Sequence, residues 1–544
     1  MKCGAAIDDC DKSSDGWKIK IFLFGFFLFL SLVFQIQSGA WQGGFGKHAD
    51  EGAHVVTSLM IRDYLWGGFR EQPHPVRFAE DYYSQFPKVA IGHYPPFLYL
   101  VIGLFLIPFR TPESALIAVA AVTAGAAWLT WLSGRRMLRS GYAAVAMALA
   151  VCLLPLIRAY TATVMADVLL LGCCLASVLS FSSFLRKGRV KYSLLFGIFA
   201  TLAILTKGSG IMLAVVPPVA IAVTGRWALW KSWRLWVSVV PVLLIAIPWT
   251  LATYEMAAGG FSELEPGSYL LSVAPLYLHC FGSELSWVVL LCFAFSLVFF
   301  VFSRMRNGRR AESDFEPEVA SHLGLVFGVF CIIAFVPSGF EPRYLIPLSS
   351  SVFLLAGSFV EGMLGRRSNV ARNWGGVALA FLIVLETWRP VDKVYTGVSE
   401  SVRKAVSDFN SKRDHQERIG ILIVSNARGE GAVTAEATFH HAEKVWVLRS
   451  SQILADSDWM GRGYEIAFKT VPDLRRILRE NLVDYLLIDR PDEDSRHYLQ
   501  HWEVLNQWIE SGKDEEFGEL IEVYPSRRRN SGTNEFRIYR VMGT

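Results

Sequence analysis

Long apolar runs separated by short charged ones set the rhythm of the first 390 residues. The first run, Ile19 to Phe34, follows Lys18 and Lys20 and ends at Gln35-Ile36-Gln37. That arrangement has the form of a signal peptide. More apolar runs follow, however, so it is read as an uncleaved first helix with its N-terminus in the cytoplasm. Further runs occupy roughly 113–133, 141–158, 164–185, 192–206, 209–225, 235–250, 284–303, 320–337, 344–361 and 374–388, each taken as a crossing within a boundary error of a few residues. Residues 97–109 are also apolar, but 13 residues of helix reach only about 20 Å, short of a core roughly 30 Å thick.

Charge decides how that short segment is counted. With 97–109 non-spanning, the clusters Arg135-Arg136-Arg139, Arg186-Lys187-Arg189-Lys191, Arg226-Lys231-Arg234, Arg304-Arg306-Arg309-Arg310 and Arg366-Arg367-Arg372 all fall inside. Counting it as a span would place all five outside, against the positive-inside rule. The expectation is therefore eleven spanning helices, with 97–109 lying in or dipping into the outer leaflet. The same parity puts the 38–112 loop, the 251–283 loop, the turns near Asp167, Lys207 and Arg343, and the C-terminal region on the outer side.

From about residue 390 the pattern changes to alternating charge and short β-branched runs: Ile419–Val424, Val445–Leu448, Tyr485–Ile488 and Phe536–Tyr539, with an amphipathic helix over 472–481. Two domains follow: a membrane domain over 1–389 with a large first outer loop, 38–112, and a soluble α/β domain over 390–544. Arg428-Gly429-Glu430-Gly431-Ala432 follows a strand but lacks the third glycine of a dinucleotide loop, so no nucleotide site is assigned there.

Composition agrees with this frame. The chain has 544 residues, 52% hydrophobic and 13% aromatic, with a formal net charge of +4 and a mean hydropathy of +0.34, the profile of an integral membrane protein carrying soluble mass. No run of like charge is long enough to suggest a nucleic-acid partner. Seven of the eight cysteines lie in the N-terminal tail or the apolar runs and none follows Cys331, which argues against a disulfide framework or a cysteine zinc site.

The most distinctive local feature is the acidic pair Asp50-Glu51 in His48-Ala49-Asp50-Glu51-Gly52-Ala53-His54, shortly after the first span. A carboxylate at the mouth of a membrane protein can take a proton from an acceptor without entering hydrocarbon. The same acids would equally cap the helix that begins Gly52-Ala53-His54.

Five marks occur in order on the outer face: Asp50-Glu51, His93-Tyr94-Pro95-Pro96, Ala166-Asp167, Leu205-Thr206-Lys207-Gly208, and Glu341-Pro342-Arg343-Tyr344-Leu345-Ile346-Pro347. Together they resemble the GT-C superfamily of membrane glycosyltransferases, in the branch of protein O-mannosyltransferases and the lipid A aminoarabinose transferase. The resemblance covers residues 1 to about 350. It implies a GT-C fold with juxtamembrane helices in the first outer loop, in a multi-pass protein of a bacterial plasma membrane. It also implies sugar transfer from a polyprenyl-phosphate donor to a protein, lipid or glycan acceptor on the extracytoplasmic side.

Such a reaction needs one base for the acceptor and cations for the departing phosphate. By resemblance Asp50 is that base, supported by Glu51, and Asp167 lies at the active-site cavity; an N-cap, or a partner for Arg158, would also account for Asp167. Lys207 at the outer interface is placed to neutralise a lipid phosphate, or to snorkel. Arg343 can clamp phosphate oxygens in a bidentate way, or pair with Glu341. Tyr344 and Arg158 complete the group assigned to donor phosphate, and His93 and Tyr94 are assigned to substrate contacts in the first loop. The aminoarabinose transferase type carries a lysine just before its loop proline where this chain has Gly92-His93-Tyr94-Pro95-Pro96, and a histidine is only partly charged at neutral pH.

Asp50 and His54, four apart, would share a helical face with His48 nearby, and Glu263, Glu265, His279 and Glu284 lie in a later outer stretch. Nothing in the sequence gathers them, so no metal ligand is assigned and a divalent metal stays open as cofactor. A transporter or flippase of lipid-linked glycans is the competing class. Against it stand the lack of internal duplication, of paired broken helices and of mid-span charges.

Overall fold

The computed structural model describes residues 14–258, 266–307, 316–336, 339–364, 368–392, 396–412, 418–456, 463–489, 499–526 and 534–542. Glu263, Glu265 and the basic residues at 309–310 and 366–367 lie outside them. Each of the eleven apolar runs is helical. Among the described residues, seven helical stretches are long and apolar enough to cross a membrane, eight if a bent pair counts as one. That pair, Gly141–Leu153 and Pro155–Thr161, turns through 64°, where Pro155 lacks the N–H that would continue the first helix. The runs at Val190–Thr206, Gly208–Thr224 and Trp374–Thr387 form shorter apolar helices.

Two boundaries differ from the reading of the sequence. Much of the expected 251–283 loop is helical: Gly267–Val298 is one stretch of 32 residues, joined through π-helical turns at Phe281–Ser286. The apolar sequence Tyr269-Leu270-Leu271-Ser272-Val273 carries the helical pattern well upstream of Glu284. The 209–225 run begins as a 3-10 helix, Gly208–Val215, before it becomes α-helical.

In the loop after the first span the helix α1 (Glu51–Asp63) is buried from Glu51 to Met60. It packs on α2 (Phe97–Leu106), whose ten residues reach only about 15 Å, so the ambiguous apolar segment is too short to span. The helix α3 (Asp167–Lys187) follows, capped at its C-terminus by Gly188 in the left-handed conformation at φ +62°. The helix α4 (Ile346–Leu364) is led in by the 3-10 turn Pro342–Leu345.

The C-terminal region holds a five-stranded sheet of order β2-β1-β5-β7-β6. Its strands are β1 (Ile419–Val424), β2 (Val445–Arg449), β5 (Tyr485–Asp489), β6 (Gly518–Ser526) and β7 (Asn534–Val541). A two-residue pair, β3 (Ala455–Asp456) with β4 (Glu465–Ile466), stands apart. β1 pairs in parallel with β2 and β5, and β7 runs antiparallel between β5 and β6. All six residues of β1 are buried, as a central parallel strand requires.

One face of the sheet is covered by the helices Val471–Glu480 and Gln500–Glu510 through Leu474, Leu478, Trp502 and Leu505. The other face receives α5 (Ala427–His440) and, beyond it, the loop that follows the first span. Val55, Val56, Leu59 and Met60 of α1 belong to the same apolar core as Ile421, Ile423, Val433 and Phe439.

Candidate active site

Four chain segments far apart in sequence meet where α1 begins. Asp50 occupies the N-cap position of α1, but its side chain makes no capping hydrogen bond. The helix-cap alternative is therefore overturned for Asp50. Its Oδ2 instead accepts from the Tyr94 hydroxyl at 2.9 Å and from both terminal nitrogens of Arg343 at 3.3 and 3.4 Å, with His48 Nδ1 at 3.4 Å. Burial alone would raise the carboxyl pKa; His48, Arg343 and the Tyr94 hydroxyl outweigh it and hold Asp50 well below the usual carboxylate range. Tyr94 is shifted the other way by burial and by Asp50, so it stays a hydroxyl that donates.

Glu51 points elsewhere. Fully buried, it accepts from the backbone N–H of Lys47 at 3.0 Å and of Val164 at 3.2 Å, tying the loop before α1 to the turn that leads into α3. His54, one turn along α1, meets the Tyr99 hydroxyl through Nδ1 at 3.2 Å and the edge of Tyr94 at 4.7 Å between ring centres. Burial pushes its pKa down to about 4, so it is a neutral imidazole at ordinary pH.

Beside this group Asp167 opens α3, and its Oδ1 accepts from Lys207 Nζ at 2.7 Å. The lysine also lies over the Tyr344 ring at 4.6 Å. Two polar atoms here are buried with no hydrogen-bond partner: Asp167 Oδ2 and Arg343 Nε. Asp167, Lys207, Ser209, Arg343 and Tyr344 are the polar lining of a small, partly open cleft. Leu170, Met212, Val329, Ile332, Ile333 and Pro347 form its apolar walls.

The structure thus brings together Asp50, Tyr94, Asp167, Lys207, Arg343 and Tyr344. Three assigned residues do not join them: Glu51, held by the backbone of Lys47 and Val164, Arg158 and His93. Arg158 is stacked between Phe34 at 5.1 Å and Trp388 at 4.5 Å and donates to the Arg389 carbonyl at 3.0 Å, so it is neither a partner for Asp167 nor a wall of the cleft. His93 turns to the backbone of Met256. Glu284 pairs with Arg389, and among the described residues no group of three or more His, Cys, Asp or Glu side chains is placed to hold a metal ion. Reading the sequence missed the cleft's apolar walls, which are ordinary span residues, and Tyr99, whose link to His54 crosses from α2 to α1.

Residues 93–251 match the family model described as dolichyl-phosphate-mannose-protein mannosyltransferase. No curated protein sequence matches the chain. Among solved structures, the crystal structure of ArnT from Cupriavidus metallidurans bound to undecaprenyl phosphate superposes with a TM-score of 0.54 at 15% identity, covering 97% of this chain and 98% of that one. The apo form of ArnT covers the same shares at 15% identity with a TM-score of 0.45. Residues 93–251 carry the mannosyltransferase family pattern on a chain with the ArnT fold, and the likeness to GT-C membrane glycosyltransferases of that branch is borne out.

Proposed function

We propose that the protein transfers a sugar from a polyprenyl-phosphate donor to an acceptor on the extracytoplasmic face, in a single displacement that inverts the anomeric carbon. The observation that carries this reading is the joining of Asp50 to Arg343, which with Lys207 lines a cleft whose other lining is largely apolar. An amphiphile with an anionic head and a hydrocarbon tail fits that division. The ArnT crystal structure contains such a lipid, undecaprenyl phosphate.

In this reading Lys207 and Arg343 receive the phosphate, with Tyr344 packed beside both. At rest each cation is held by an acid, Lys207 by Asp167 and Arg343 by Asp50. A carboxylate held so far below its usual range is a weak base. The incoming phosphate competes for Arg343, which loosens its hold on Asp50 and raises the proton affinity of that carboxylate. The acceptor oxygen then attacks the anomeric carbon, the bond from carbon to phosphate oxygen breaks, and the acceptor proton passes to Asp50. The charge left on the polyprenyl phosphate stays with Lys207 and Arg343. Glu51 anchors the backbone on which Asp50 sits.

The test is transfer in vitro from radiolabelled polyprenyl-phosphate sugars. Asp50→Asn should lower turnover by about 10²–10⁴-fold while expressing normally; full activity in that variant would end the assignment of the base. Retention of the donor's anomeric configuration would exclude the single displacement. Movement of donor across vesicles without transfer would favour the flippase class.

A further inference from the structure

The N-terminal end of α1 touches the C-terminal domain backbone to backbone. A Cβ at Gly52 would lie 2.4 Å from the carbonyl carbon and oxygen of Gly431 in α5, closer than side-chain carbons are found, whereas a Cβ at Gly431 would meet Gly52 Cα at an ordinary 3.4 Å. The contact is therefore tight from one side only. At the other end of α1, Arg110 joins Asp63 at 3.1 Å and donates to the Phe439 carbonyl of α5 at 2.7 Å.

Between these ends the same two regions are tied by partly buried polar groups. Lys88 Nζ donates to the Ala427 carbonyl at 3.3 Å. Arg449 donates to the Pro87 carbonyl at 3.2 Å and to Glu430 at 2.8 Å. Gln85 donates to the Val445 carbonyl at 3.0 Å. A lid that swings over a cleft needs a surface it can leave. This interface has a shared apolar core, partly buried hydrogen bonds and no side-chain layer at Gly52.

We propose that the C-terminal domain is the fixed platform that sets the position of Asp50, with Gly52 as the positioning residue through which it acts. The inference rests on the reading of Asp50 as base. Gly52 lies two residues after Asp50, so any separation of α1 from α5 moves the carboxylate relative to Arg343 and Tyr94. A displacement of about 1 Å in a reacting geometry can cost about 10²-fold. A methyl at Gly52 cannot be absorbed by a flexible side chain, because the atoms it would strike are backbone.

The full-length protein in lipid nanodiscs provides the test. Gly52→Ala should lower kcat at least 10-fold while the donor KM stays within twofold, since Lys207 and Tyr344 sit on other elements. Displaced from Arg343 and Tyr94, Asp50 should show an acid limb in the rate profile that rises towards pH about 4. Gly431→Ala should keep wild-type kcat and profile. Lys88→Met, which removes a tether without moving backbone, should lower kcat about threefold at unchanged KM and serves if Gly52→Ala fails to fold.

Hydrogen exchange provides a readout independent of activity: Gly52→Ala should speed exchange in residues 45–63 and 427–440 together. Wild-type protein that transfers no sugar would defeat the glycosyltransferase reading, with the exchange result still testing the platform. Folded Gly52→Ala and Lys88→Met with wild-type kcat, profile and exchange would overturn the platform.

Discussion

Two buried clusters of acids and cations lie close together in this molecule, and they are finished differently. At the seam between the first loop and the C-terminal domain, Glu430 takes hydrogen bonds from Arg449 Nε, the Ser450 hydroxyl, and the Ser451 N–H and hydroxyl. Burial would raise its pKa, but Arg449 and Lys88 overcome this and lower it. In the cleft, Asp167 Oδ2 and Arg343 Nε are buried and unmatched. A buried polar group without a partner costs roughly 1–3 kcal/mol. The saturated cluster suits holding two parts together; the unsaturated one has a spare donor for an anion, Arg343 Nε, beside a carboxylate oxygen, Asp167 Oδ2, that can still accept. Counting ion pairs would not separate them, because both contain a short pair: Lys207–Asp167 at 2.7 Å and Arg449–Glu430 at 2.8 Å.

The contrast breaks most readily at the cleft cations. Lys207→Met should reduce kcat/KM by about 10²–10³-fold, chiefly through the donor KM, as read by initial rates over a range of donor concentration. Glu430→Ala should act the other way round, destabilising the seam by about 3–5 kcal/mol because it strands Arg449. Thermal unfolding should register that loss, and the molecules that remain folded should lose kcat rather than donor affinity. Should Glu430→Ala raise the donor KM as far as Lys207→Met does, the two clusters share one role.

A finer cut is Tyr94→Phe, which removes one of the hydrogen bonds to Asp50. It should cost about 10-fold in kcat/KM, in line with a hydrogen bond to a charged group of about 1.5–3 kcal/mol, and it should raise the acid limb of the pH profile. Tyr99→Phe, which loses only its link to His54, should leave that limb in place.

The smallest effect expected is on stability against pH. Burial lowers the pKa of His54, and also of His501, from 6.5 to about 4. A histidine that is neutral when folded leaves the unfolded chain with the greater proton affinity. Its contribution is complete above pH 6.5 and is lost as pH falls from 6.5 towards 4, by about 3 kcal/mol at most for each. Lys88, pushed down to about 7 by burial and Arg449, acts only above that window. The Tm should therefore fall between pH 6.5 and 4, and His54→Gln should make that fall shallower.

Much of the cleft could be read from the chain because Asp167, Lys207 and Arg343 each stand at the end of an apolar run, and charge parity assigns those ends to one side. Their contacts with one another and with Asp50 agree with a shared face. Arg158 obeys the same local rule yet stacks between Phe34 and Trp388, because which neighbour a span-end cation meets depends on helices remote in sequence. The strands β1, β2, β5 and β7 announced themselves as short β-branched runs. β6 did not, since Gly518-Glu519-Leu520-Ile521-Glu522 alternates too weakly around a register shift between Leu520 and Glu522. The seam was hidden for a different reason. Gly431 was visible only as part of an incomplete nucleotide loop, and its partner Gly52 stands at the far end of the chain; close backbone approach between two helices has no local signature.

The near contact of Gly52 with Gly431 also limits how this chain can be recombined. Two surfaces that meet without side chains on either backbone tolerate no drift in their relative placement, so the C-terminal domain is not an interchangeable cassette. A chimera with a relative should work only when residues 45–110 are exchanged together with 398–541. Grafting the C-terminal domain alone should yield protein that inserts into the membrane but turns over poorly. Inheritance would then act on the pair as a unit, although nearly the whole transmembrane bundle separates them along the gene.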